Sequence, residues 1–208
     1  MPDITPAEFY SSHGTKWLSE RKTEEMTGME LAYIRSLLDR RWKILDLACG
    51  YGRFTIPLAG DGYCIEGIDI TPVFIKEAED RAKRSHLDIR LQVGDMRHLP
   101  YADGTFDCVI CMWNAFSELT SLQDQAGTAG EIYRVLKSGG MGLIEVRNHR
   151  SSGLVQDNMI DGDVAMPSYN HTRGSMKNVM VSAGIQDYDI SIDNFGGRNR
   201  LMVKIWKK

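Results

Sequence analysis

Three aspartates and one glycine-rich turn hold the chemistry this sequence suggests. Asp46 lies in the apolar run 43–48, which leads directly into Cys49, Gly50, Tyr51, Gly52 and Arg53. Asp69 closes a second apolar run, 63–69, and Asp95 follows a third, 87–94. The three are 23 and 26 residues apart, one strand-and-helix unit each. Gly50 and Gly52 carry no Cβ, so a ligand can approach the backbone closely there. A helix opening near Arg53 would turn its first N–H groups toward that ligand. An acidic residue about 20 positions beyond such a turn is placed to accept from the vicinal hydroxyls of a ribose. Asp95 suits an exocyclic amine such as that of adenine. Plainer roles compete: an aspartate after a strand often caps a helix or forms a turn. Asp46 sits inside a strand run, where an unpaired charge is costly, so it needs a partner or a function.

The spacing excludes two phosphate-binding readings. A dinucleotide fingerprint needs a third small residue, and the positions here are Ala48, Gly50 and Arg53. Arg53 cannot give the tight helix–strand packing found beneath a pyrophosphate. No Gly-Lys-Ser/Thr follows, so the turn is not a P-loop. What remains is a turn for a ligand without a pyrophosphate.

These residues must be positioned by alternating strands and helices. Runs 43–48, 63–69, 87–94, 106–113 and 141–146 read as buried strands. Between them, Thr71 and Pro72 open a helix whose apolar face holds Val73, Phe74, Ala78 and Ala82. A second helix over 119–136 ends at Gly139-Gly140. This alternation predicts an α/β fold with a doubly wound, mostly parallel sheet. Runs 185–193 and 201–206 are joined by only 194–199, too short for a parallel crossover, so that pair is antiparallel. Met26, Met29, Tyr33, Ile34, Leu37 and Leu38 recur at helical spacing and predict a helix covering a sheet edge. The stretch 148–171 shows no clear periodicity and reads as a long functional loop.

Composition sets wider bounds. The chain has 208 residues and a formal net charge of −3, which gives no global field for a nucleic acid backbone. It reads as one domain. No signal peptide, membrane span or lipidation signal is visible. The four cysteines lie in or beside strand-like runs, as expected of reduced thiols in a cytoplasmic protein. Cys108 and Cys111 have metal-ligand spacing, but three positions along a strand they point to opposite faces, so no metal site is expected.

The ordered set of segments resembles the class I S-adenosylmethionine-dependent methyltransferases. Residues 45–53 resemble the first motif of that family, with Ala48 in place of its usual first glycine. Residues 66–70 are similar to its acidic second motif. Gly94, Asp95 and Met96 with Leu99, Pro100 and Tyr101 resemble the adenine-binding segment. Residues 106–110 resemble its fourth strand, and 134–140 the turn before its fifth. The likeness is strong over 43–147 and weaker over 172–208. It implies a Rossmann-like seven-stranded sheet with one antiparallel strand near the C-terminus. It also implies a single domain: a lid or edge segment (1–42), a cofactor core (43–147), an acceptor-side loop (148–171) and a last helix with two strands (172–208).

The resemblance assigns roles residue by residue. Gly50 and Gly52, with Ala48 and Cys49, would lie under the methionine portion of S-adenosylmethionine, and Asp46 would reach its amino group. Asp69 would hold the ribose, Ile70 would pack on adenine, and Asp95 and the Met96 amide would meet the adenine edge. Met112, Trp113 and Asn114 would lie near the methionine end and the acceptor, with Tyr10, Lys16 or Trp17 closing the site. S-adenosylhomocysteine would be the product. Methyl transfer is an in-line displacement that rests on alignment, so no catalytic residue is demanded. Arg147, His149, Tyr169, His171 and Arg173 are further acceptor-side candidates, and His171 has the chemistry of a base. The acceptor is expected to be a small molecule, without nucleic acid or membrane partners, and the C-terminal signature of quinone C-methyltransferases is missing. The alternatives are a protein acceptor, a non-catalytic cofactor-binding module, and a nucleotide-dependent oxidoreductase, which Arg53 disfavours.

Overall fold

The computed structural model describes residues 4–21, 23–161, 164–195 and 198–208, with side chains for all of these except 156–161, 164, 165 and 195. Seven strands form the main sheet: β1 (Lys43–Leu47), β2 (Cys64–Asp69), β3 (Leu91–Val93), β4 (Phe106–Cys111), β5 (Leu136–Arg147), β8 (Tyr188–Phe195) and β9 (Arg198–Trp206). Their order is β3-β2-β1-β4-β5-β9-β8. The pairs β1–β2, β1–β4, β2–β3 and β4–β5 are parallel, and β9 runs antiparallel to both its neighbours. The expected α/β sheet with one antiparallel strand is therefore present. The chain reverses direction across the sheet between β1 and β4, and the crevice at such a switch point is where open α/β sheets bind ligands.

Strand side chains alternate between the two faces, as the pleat requires. Leu45, Leu47, Val109 and Cys111 pack in one core with α5 (Leu122–Val135) and α6 (Arg173–Ser182). Ile44, Cys108 and Ile110 pack in the other, against α2 (Glu24–Leu37) and Leu58 of α3 (Thr55–Gly60). Cys108 and Cys111 thus serve opposite cores, and burial raises the pKa of both thiols. The helix α4 (Pro72–Arg84) buries Phe74, Ile75, Ala78 and Ala82.

Several elements differ from the sequence reading. The third strand is only Leu91–Val93. The helix after the glycine turn begins at Thr55, later than Arg53. The stretch 148–171 is not an irregular loop: β6 (Gly153–Asp161) and β7 (Val164–Asn170) form an antiparallel hairpin beside the main sheet. Its β7 strand buries Met166 against Phe9, Tyr10 and Phe74, remote segments that no local pattern in 148–171 records. The sequence pattern also left α1 (Pro6–Ser19) unread, although Thr5, Pro6 and Glu8 form a complete capping box at its start. In α2 and at its end, Ile34 is buried and Tyr33, Leu37 and Leu38 pack against the core as expected, while Met29 is exposed and Leu31, not foreseen, is buried. Gly196 and Gly197, which the sequence reading places in a turn, lie outside the described residues.

Candidate active site

The glycine turn is wound through left-handed backbone. Ala48, Gly50 and Gly52 have φ of 58°, 56° and 83°. Such values cost a residue with a Cβ, so Ala48 holds a strained position where glycine would sit freely. Asp69 stitches this turn to the end of β2. Its Oδ2 accepts the Gly50 N–H at 2.8 Å and its Oδ1 accepts the Thr71 N–H at 2.8 Å. Asp69 thus forms a turn just ahead of α4, whose N-cap is Thr71, and the helix-cap reading of Asp69 does not hold. Asp46 is buried and accepts the Thr55 hydroxyl at 2.6 Å, which resolves its charge inside the strand. Gly52 departs from expectation. It does not line the cavity; a Cβ there would stand 2.7 Å from Ile56 Cδ1, so its role is to let α3 pack.

A cavity of about 550 Å³ opens over the carboxyl ends of β1, β2 and β4. Its wall includes Asp46, Ala48, Cys49, Gly50, Asp69, Ile70, Asp95, Met96 and Met112. All but one of the expected cofactor residues are thus brought together. Asp95 also forms a turn: it accepts the Arg97 backbone N–H at 2.8 Å and the Arg97 guanidinium at 2.6 Å. Burial acts to raise its pKa, but the Arg97 hydrogen bonds outweigh that and hold the carboxyl below its ordinary value.

The far end of the cavity is bounded by Tyr10, Trp113 and Glu118. Trp113 and Asn114 follow β4 with φ of 61° and 66°, two left-handed residues in succession. Asn114 pins this turn: its Oδ1 accepts from the Ser117 hydroxyl at 2.9 Å and from the Arg147 N–H at 2.8 Å. Its own N–H donates to Glu145 Oε2 at 3.1 Å. Tyr10 reaches in from α1 and donates its hydroxyl to Glu118 Oε1 at 2.6 Å. Burial, then the Glu118 charge, push the Tyr10 pKa well up, so the phenol keeps its proton and Glu118 stays the acceptor.

Of the other acceptor-side candidates, Asn114 and Arg147 border a small recess beside the main cavity. Lys16 and Trp17 line neither space, and the Lys16 side chain is exposed. His171 is fully buried, with Nδ1 3.3 Å from the Ser175 hydroxyl, and borders neither space. Burial and then His149 lower its pKa to about 4. It is a neutral packing residue at the start of α6, not a base in the cavity. Glu118, Thr120 and Asp124 line the cavity without having been foreseen. They sit in and after the 3-10 helix Ala115–Glu118, and no spacing separates them from ordinary surface polar residues.

Residues 44–140 match the model of the methyltransferase domain family. The glycine/sarcosine N-methyltransferase of Aphanothece halophytica is 31% identical over 119 residues, covering 56% of this chain and 45% of that protein. The demethylmenaquinone methyltransferase of Lactiplantibacillus plantarum is 37% identical over 101 residues, covering 46% of this chain and 41% of that protein. The chain thus spans under half the length of these curated relatives. A solved S-adenosylmethionine-dependent methyltransferase of Methanosarcina mazei superposes with a TM-score of 0.69 at 19% identity, covering 84% of this chain and 97% of that one. That likeness is one of fold.

Proposed function

We propose that this chain is a class I S-adenosylmethionine-dependent methyltransferase that moves a methyl group by in-line displacement onto a small-molecule acceptor. The observation that carries the proposal is one continuous cavity, running from the Asp69 and Asp95 strand ends to the Tyr10–Glu118 pair. A site for the cofactor alone would end near Met112. The two relatives, by their names, act on small molecules, which supports the acceptor class. The four unpaired thiols fit a reducing cytoplasm, and among the described residues no helix is long and apolar enough to cross a membrane.

The residues fit the cofactor. Asp69 would hold the ribose and Asp95 would meet the adenine edge, with Ile70 and Met96 packing on the ring; all four line the cavity. The backbone of Ala48, Cys49 and Gly50 would lie under the methionine portion, with Asp46 toward its amino group. A bound sulfonium supplies a methyl group already activated for displacement. The task left to the protein is alignment and exclusion of water. Trp113, fixed by its strained turn, and Tyr10, delivered by α1, wall the acceptor end. We read α1 as a lid and the β6–β7 hairpin, whose Leu154 and Pro167 line the cavity, as part of the acceptor wall. If the acceptor loses a proton, Glu118 is the carboxylate at that end to receive it.

Calorimetric titration with S-adenosylhomocysteine, S-adenosylmethionine and NAD tests this. The two adenosyl-sulfur ligands are expected to bind and NAD is not. Asp69→Ala should weaken binding by about 1–3 kcal/mol, the scale of lost hydrogen bonds in a buried site. Preference for NAD, or no binding at all, sinks the proposal.

A further inference from the structure

Beside the Trp113–Asn114 turn lies a recess of about 20 Å³. Tyr10, Trp113 and Glu118 line both it and the main cavity, so the recess adjoins the acceptor end. Arg147 and Arg200 line the recess alone. They face each other directly across the antiparallel β5–β9 pair, where like charges repel. Arg200 is only 1% exposed. Its single acidic contact is Glu145 Oε1, 3.1 Å from Nη1, yet neither its Nε nor its Nη1 has a hydrogen-bond partner among the described residues. Burial, then Arg200 and Arg198, lower the pKa of Arg147, and no carboxylate lies within ion-pair distance of it among the described residues. Arg200 thus has one internal carboxylate within ion-pair distance and Arg147 has none, among the described residues. Buried donors without partners are rare in folded proteins and call for a group that completes them.

Resting on the methyl-transfer reading above, we propose that the acceptor carries a carboxylate, held in this recess by Arg147 and Arg200. Arginine forks match the flat edge of a carboxylate, donating two parallel N–H bonds. The recess holds about one water-sized group, which admits a carboxylate edge better than a tetrahedral phosphate. The polarity of the site then orients the acceptor. Its anionic end lies toward β5 and β9, and its reacting atom lies on the Glu118 side, toward Met112.

The test uses the whole protein saturated with S-adenosylhomocysteine, titrated with acetate, with acetamide as its neutral isostere, and with inorganic phosphate. Acetate should bind at least tenfold more tightly than acetamide or phosphate. Arg147→Gln should abolish that preference, and Arg147→Lys should keep part of it, both with unchanged affinity for S-adenosylhomocysteine. Arg147 is the position to vary because Arg200 is buried and ion-paired, and its loss would threaten folding. Equal binding of acetate and acetamide, preference for phosphate, or a preference that survives Arg147→Gln overturns the inference while the cofactor reading stands. Failure of S-adenosylhomocysteine to bind overturns the reading beneath it, and the inference with it.

Discussion

The two ends of the cavity are built differently. At the cofactor end, contacts are short in sequence and run largely through the backbone. Asp69 holds the N–H groups of Gly50 and Thr71, 19 and 2 residues away, and Asp46 holds Thr55, 9 residues away. At the acceptor end, the partners come from more distant segments. Tyr10 and Glu118 are 108 residues apart, and Asn114 and the Arg147 N–H are 33 apart. A backbone-built site constrains few residue types and tolerates change around it. A site assembled from remote side chains can be rebuilt for another substrate by altering one segment. On the reading proposed above, a fixed donor end is thus set apart from an adaptable acceptor end.

The largest expected effect tests whether that separation is complete. Arg53, at the glycine turn, is buried in an ion pair with Glu30 of α2. Glu30→Ala leaves a buried guanidinium without its carboxylate and should cost about 3–5 kcal/mol of stability, read from the denaturation midpoint. Replacing both by leucine should recover much of it. A negligible loss in Glu30→Ala would mean that the cofactor end stands free of the N-terminal helices.

The next effect lies outside the cavity, where α6 begins. His171 has a folded pKa of about 4 against an ordinary 6.5. Between those values the unfolded chain binds a proton that the native state refuses. Stability should therefore fall as pH drops from about 6.5 to about 4, by as much as ~3 kcal/mol from this residue. His171→Gln should flatten the pH dependence of unfolding in that window. Identical slopes in the two proteins would mean that His171 is not held neutral.

The smallest effect lies in the cofactor turn. Ala48→Gly relieves a left-handed alanine at some cost in chain entropy, and should stabilise the fold by about 0.5–1 kcal/mol. Cofactor affinity should stay within twofold. A destabilised Ala48→Gly would show that the alanine methyl packs usefully despite its φ.

What could be read in the sequence follows the same division. Asp46, Gly50, Asp69 and Asp95 were legible because strand ends recur at regular intervals and each carries one polar residue at a fixed offset. The mostly parallel sheet followed from the alternation of strands and helices, and the antiparallel last pair from the short 194–199 connection; the strand order itself was not read. Glu118, Arg200 and the β6–β7 hairpin were not legible. Their importance depends on which remote segments fold together, and no local spacing records that. His171 misled for the same reason: histidine has the chemistry of a base, but only burial decides whether water and a ligand can reach it. Gly52 misled more subtly. It belongs to the motif, yet its missing Cβ makes room for Ile56 and not for a ligand.

The place of β9 also has a consequence for how the chain is made. It follows every other strand in sequence, yet it lies inside the sheet, between β5 and β8. During synthesis, β1 to β5 can pair while β9 has yet to emerge, and β5 then waits as an exposed edge. The β8–β9 hairpin must arrive as a unit to cover it, closing a loop from β5 that is entropically slow to form. Arg200 travels on that last strand. On the reading proposed above, a nascent chain would have the strand ends that meet a nucleoside before the arginine that holds the acceptor's anionic end has joined the sheet.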